Sequence, residues 1–93
     1  MAKEVRASHI LVNKKLDADK LMEKLKGGSN FEDLARKHSS CPSGKKGGDL
    51  GYFGMNRMVK EFETAAFAAN KGDIIGPVKT QFGYHIIKVT DKR

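Results

Sequence analysis

The alternation of apolar and polar residues predicts strands near both ends of the chain. Residues 5–12, VRASHILV, place apolar side chains on both faces, as in a central strand. One face carries Val5, Ala7, His9 and Leu11, and the other carries Ile10 and Val12. Residues 84–89, YHIIKV, form the strongest strand pattern, with β-branched residues on both faces. First and last strands often pair at the centre of a sheet, so contact between these two is feasible, although the sequence does not determine the strand order.

Three stretches between these strands predict helices, because their apolar residues recur at the spacing of a helical face. The first follows Asp17 as N-cap and stops at residues 27–28, a Gly-Gly pair. The second begins with Ser29 and Glu32 at capping-box spacing. The apolar stripes are Ala18, Leu21, Met22 and Leu25, then Phe31, Leu34, Ala35 and His38, and finally Phe62, Ala65, Ala66 and Ala69.

Residues 41–54, CPSGKKGGDLGYFG, predict a long loop that returns as a brief strand at LGYFG. Long loops inside a compact domain are usually either functional or disordered. The lysines among the glycines also suggest phosphate binding. The run lacks the Gly-x-x-x-x-Gly-Lys-Ser/Thr pattern and no helix follows it, which argues against that function.

The order of these elements predicts an α+β domain. Pro77 opens a short, edge-like strand at PVKT, and QFG turns the chain into the last strand. Strands lie at both ends with helices between them, and no strand-helix-strand unit repeats, so a doubly wound sheet is not expected.

Composition sets the class of protein. The 93 residues are 39% hydrophobic and 31% charged, which predicts one soluble domain over residues 1–93. The start of the chain resembles a strand and not a signal peptide, so we expect a cytoplasmic protein. One cysteine excludes an intramolecular disulfide, and the spacing of Cys and His residues predicts no metal site.

A net charge of +7 makes nucleic acid and anionic membranes candidate partners. The lysines, however, are scattered over predicted helices, turns and strands, without a dense run or interleaved aromatic residues. We therefore expect no specific nucleic-acid partner, and at most weak electrostatic contact with anionic surfaces.

Two histidines lie in the two best strands, His9 and His85. A half-buried imidazole must satisfy both ring nitrogens, and two such rings can do so by hydrogen-bonding each other. Taken alone, each histidine fits a hydrogen-bonded core residue better than a catalytic one, since buried polar groups usually find partners for structural reasons. Cys41 adds a Cys-His hydrolase as an alternative, although the sequence identifies neither its oxyanion donors nor a third orienting residue.

Taken in order, SHILV, CPSGKKGGDLGYF, MVKEF with AAF, and GPVKTQFGYHIIKV resemble the parvulin family of peptidyl-prolyl cis/trans isomerases over essentially the whole chain. The resemblance implies the parvulin fold, a four-stranded antiparallel sheet surrounded by about four helices. It also implies a monomeric isomerase that needs no cofactor and assists protein folding. Its partners would be proline-containing peptides and unfolded or partly folded proteins.

The resemblance also implies the site residues. The catalytic set would be His9, Cys41, Thr80 and His85, and the substrate-binding set would be Leu50, Met58, Phe62 and Phe82. The histidine pair would form the floor of the cleft, with the hydroxyl of Thr80 hydrogen-bonded into the pair. Some relatives carry serine in place of Phe82, so this pocket is expected to be more apolar. Others carry aspartate in place of Cys41, so catalysis is expected to be non-covalent.

Phosphate-directed parvulins carry a basic cluster after the first strand and usually a Trp-containing module. Here only residues 13–16 separate strand from helix and tryptophan is absent, so we expect no requirement for phosphoserine-proline. Lys14 and Lys15 leave open a mild preference for acidic residues before proline. A non-catalytic binding module or chaperone on the same fold is the alternative function.

Overall fold

A four-stranded antiparallel sheet forms the centre of the structure, a computed structural model that describes residues 3–93. The strand order, which the sequence did not determine, is β2-β1-β4-β3. The first strand is central, as its two apolar faces predict, and it lies beside the last strand. The strands are β1 (Val5–Val12), β2 (Asp49–Phe53), β3 (Ile74–Thr80) and β4 (Gly83–Lys92). The helices are α1 (Lys15–Lys26), α2 (Phe31–His38) and α3 (Lys60–Ala68), with a 3-10 helix at Pro42–Lys46.

Both faces of the central strands are buried because each carries apolar side chains. On one face, β1 and β4 pack against α3 through Val5, Ala7, Phe53, Phe62, Ala66, Ala69, Ile87 and Val89. On the other face they pack against α1 and α2 through Ile10, Val12, Ala18, Leu21, Phe31, Leu34, Ala35 and Ile86. The antiparallel register pairs His9 with Ile87 and Leu11 with His85. The two histidines therefore lie on the same face, under α3.

The α+β class and the four-stranded antiparallel sheet are confirmed. The described residues contain three α-helices, where about four helices were expected, and the 3-10 helix is a fourth helical segment. That segment also corrects the prediction of an irregular loop from residue 41 up to the brief strand at LGYFG, whereas the strand itself is present as β2. Proline at the start of the turn has the φ that a helical turn requires, so Pro42 permits a short helix within a glycine-rich run.

Several element boundaries differ from the predictions. The first helix begins two residues before Asp17, which lies in its first turn as an acidic residue and not as the cap. The side chain of Asn30, not Ser29, caps α2 by accepting a 2.9 Å hydrogen bond from Asp33 N. His38 is exposed because α2 ends there. Strand β3 begins at Ile74, ahead of Pro77, and is an edge strand.

Across residues 3–93, none of the helices combines the length and the apolar character that crossing a membrane would require.

Candidate active site

A cavity of about 520 Å³ opens on the face of the sheet that α3 covers. This volume lies within the range of small-ligand sites. Seven of the eight site residues expected from the sequence line it, namely His9, Cys41, Leu50, Met58, Phe62, Phe82 and His85. The eighth, Thr80, lies behind the cavity and reaches it only through His85.

The apolar walls come from separate segments of the chain. Leu50 lies in β2, Met58 in the turn before α3, and Phe62 in the first turns of α3. Phe62 is 2% exposed, and its ring meets both imidazoles edge-on, with centroids 5.6 Å from His9 and 5.3 Å from His85. Phe82 follows β3 and remains 58% exposed. The cavity therefore has a buried inner wall and an exposed apolar rim.

The two histidines form the floor. Their Nδ1 atoms lie 2.9 Å apart, and the rings are stacked with an angle of 18° between them, so the predicted contact is present. Burial, with a further contribution from His85, lowers the pKa of His9 from its usual 6.5 to about 4. Burial also lowers the pKa of His85. Both rings are consequently neutral at pH 7, and each carries one N–H.

Ser43 belongs to this network, although sequence reasoning missed it. Its Oγ lies 3.2 Å from His9 Nε2 and donates a hydrogen bond to Cys41 Sγ at 3.2 Å. The serine sits inside a run that looked like loop, and nothing in its spacing marks it as a partner of a strand residue 34 positions away. Only the return of the loop over β1 brings them together.

One arrangement of protons satisfies every contact in the network. Because the Ser43 hydroxyl gives its proton to sulfur, it accepts from His9 Nε2–H. His9 Nδ1 then accepts from His85 Nδ1–H. His85 Nε2 accepts from the Thr80 hydroxyl at 2.7 Å, and Thr80 Oγ1 accepts from Phe82 N at 3.2 Å. The chain of hydrogen bonds thus runs from the β3–β4 turn to the thiol.

Backbone contacts at the end of β1 hold Cys41 at the cavity. The hydroxyl of Ser39 accepts from Leu11 N at 3.1 Å and from Cys41 N at 3.3 Å. The loop then returns to β1, where His9 N donates to Gly48 O at 2.9 Å. Gly48 has φ +86°, and a Cβ there would lie 2.3 Å from His9 O. Glycine is therefore required for this close approach.

Arg57 also lines the cavity, and the sequence did not single it out. Among the described residues that line the cavity it is the only one with a permanent charge, since the other members are apolar, hydroxyl, thiol or neutral imidazole side chains. Within residues 3–93, no three His, Cys, Asp or Glu side chains come together as they would around a metal ion.

An apolar cavity thus lies over a neutral histidine pair, on a four-stranded antiparallel sheet of order β2-β1-β4-β3. The family model for the PPIC-type PPIASE domain matches residues 1–93. The chain therefore belongs to the PPIC-type peptidyl-prolyl isomerase family, the parvulins.

Similar proteins include foldases and a single-domain parvulin. Foldase protein PrsA 1 of Bacillus cereus is 55% identical over 89 residues, which are 95% of this chain and 31% of that protein. The crystal structure of PrsA from Bacillus anthracis matches with a TM-score of 0.97 and 47% identity, over 99% of this chain and 43% of that one.

The solution structure of NmPin, the parvulin of Nitrosopumilus maritimus, matches with a TM-score of 0.87 and 47% identity. This match covers 98% of the present chain and 99% of NmPin. By contrast, the chain spans about a third of the length of the curated foldases that it matches.

Proposed function

We propose that this domain accelerates cis/trans rotation about X-Pro bonds in peptides and in unfolded or partly folded proteins, and so assists folding. The observation that carries the proposal is the apolar cavity built over the His9–His85 pair, in a chain of the PPIC-type isomerase family. The curated relatives include proteins named foldase, which supports folding as the setting of the activity.

Rotation about a prolyl amide faces a barrier of about 18 to 20 kcal/mol because resonance gives the C–N bond partial double-bond character. The planar amide separates charge between oxygen and nitrogen, and twisting the bond removes that separation. An apolar site disfavours the charge-separated form and so favours the twisted one. No covalent bond has to form or break.

Different residues of the cavity contact the proline ring and provide an uncharged floor beneath the amide. Leu50, Met58 and Phe62 enclose the proline ring through apolar contact. The neutral His9–His85 pair offers a floor without net charge, so the cavity floor holds no ion that would favour the planar, charge-separated form of the amide. Each 1.4 kcal/mol of preference for the twisted over the planar amide raises the rate about tenfold.

Thr80 and Ser43 act through the histidines and not on the amide. Each bonds a ring nitrogen that the histidine pair leaves free, and together they hold both imidazoles in one orientation. They are positioning residues. Cys41, at the end of the network, is one of two polar side chains, with Ser40, that the loop after α2 contributes to the cavity wall.

Two-dimensional exchange NMR on an Ala-Pro peptide tests the proposal. We expect cis/trans exchange peaks at a rate that rises with the concentration of the domain, and a fall to the uncatalysed rate when the protein is thermally unfolded. A folded protein that binds the peptide, as shown by shifts of its own resonances, yet leaves the exchange rate unchanged would refute the isomerase and favour a binding module.

The monomeric state and the cytoplasmic location stay predictions of the sequence. Sedimentation of the purified chain and fractionation of the source cell measure them directly.

A further inference from the structure

Arg57 stands out among the arginines of the chain because the others are engaged. Arg6 pairs with Asp49 at 2.7 Å, Arg36 with Asp33 at 2.9 Å, and Arg93 with Glu4 at 3.0 Å. Those pairs account for three of the chain's four arginines. Among residues 3–93, no carboxylate forms an ion pair with the guanidinium of Arg57.

The position of Arg57 matters because it joins two cavities. It lines the prolyl cavity, and it also lines a neighbouring groove of about 480 Å³ beside β2. Leu50 and Met58 are shared in the same way. A peptide whose proline occupies the first cavity can therefore continue over these two apolar side chains into the groove, and it passes the guanidinium on that path.

The other polar side chains of the groove are already satisfied. Glu4 is paired with Arg93, and the hydroxyl of Tyr52 donates to Asp91. The two lysines that the sequence suggested for acid recognition are not part of either cavity, and Lys15 is paired with Asp19 at 3.1 Å. The charge available to a bound peptide on this path is thus that of Arg57.

We propose that Arg57 is a specificity-determining residue that binds the carboxylate of an Asp or Glu lying within about three residues of the substrate proline. The inference rests on the proposed function, because it takes a proline-containing peptide as the occupant of the cavity. Charge complementarity identifies the partner: a guanidinium is a fork of N–H donors that matches a carboxylate, and it cannot lose its charge at physiological pH.

The test uses Ala-rich peptides with one proline and a single Glu, placed in turn at each of the three positions before and after it. Matched peptides carry Gln or Lys instead. Dissociation constants come from NMR titration of the protein resonances, and kcat/KM comes from exchange spectroscopy. The protein variants are Arg57→Gln and Arg57→Glu. Lys24→Gln is the control, since it removes the same charge from α1 on the opposite face of the sheet.

At one position we expect the Glu peptide to bind about twofold to fivefold more tightly than the Gln peptide, as for a solvent-accessible ion pair, with a gain that shrinks at high salt. Arg57→Gln abolishes this gain and Arg57→Glu transfers it to the Lys peptide, whereas Lys24→Gln retains it. Equal affinities for Glu and Gln at all six positions, or a gain that survives in Arg57→Gln, would overturn the proposal.

Binding and turnover are read separately, so the two proposals can fail separately. Charge discrimination without accelerated exchange refutes the isomerase and keeps Arg57 as a recognition residue. Accelerated exchange without charge discrimination keeps the isomerase and overturns the recognition role of Arg57. If no peptide binds, both are overturned.

Discussion

Replacing Met58 with alanine tests whether the apolar wall of the cavity packs against the proline ring. Met58 is partly buried against the α3-side core and lines the prolyl cavity. Met58→Ala removes three side-chain groups, each worth about 0.8 kcal/mol when fully buried. Because the protein already shields part of this side chain, we expect the ring to bury about half of that surface. The loss is then about 1 kcal/mol, or roughly fivefold in kcat/KM.

Met55→Ala is the matched control, because Met55 lies three residues earlier, is 56% exposed and is outside the prolyl cavity. The assay is exchange NMR on an Ala-Pro peptide, with urea denaturation of both variants to confirm that they are folded. If Met58→Ala keeps the wild-type kcat/KM, or if both variants lose it equally, the ring does not pack where the cavity places it.

Two further predictions concern the histidine pair. His9→Ala or His85→Ala leaves a buried ring nitrogen without its 2.9 Å partner and lowers the free energy of unfolding by about 1 to 3 kcal/mol; unchanged urea midpoints in both variants would refute the structural role. The folded-state pKa of His9 lies at about 4, below its usual 6.5, so the unfolded chain binds more protons between these values. Stability is full above pH 6.5 and falls by about 3 kcal/mol on acidification to pH 4. His9→Gln should flatten this slope in urea titrations, and a His9→Gln variant that keeps the wild-type slope would contradict it.

The sequence predicted the fold well where periodicity is strong. Central β1 was predictable because apolar residues such as Ala7 and Ile10 occupy both faces, which only a strand covered on two sides can bury. The ends of the helices were less predictable because neighbouring residues can serve equally well as the helix cap. Ser29 and Asn30 are both good N-caps, and the chain path selects the second.

The candidate site was also predictable only in part from the sequence. The His9–His85 contact followed from the difficulty of burying an imidazole without a partner. Ser43 and Arg57 did not follow from any local pattern, because their roles depend on where a loop and a turn close in space. Thr80 came from the resemblance alone, which also implied its hydrogen bond to the histidine pair. The structure adds that the partner is His85 and that Thr80 does not line the cavity.

The central claim is that rotation is catalysed by the apolar cavity and not by covalent attack of the Cys41 thiol. Exchange spectroscopy on the Cys41→Ser variant, with an Ala-Pro peptide at saturating concentration, measures this most directly. Serine keeps the size and a hydrogen-bonding group but is a far poorer nucleophile at neutral pH. We expect exchange that remains clearly faster than the uncatalysed rate. A folded Cys41→Ser protein that binds the peptide and leaves its exchange at the uncatalysed rate would contradict the non-covalent mechanism.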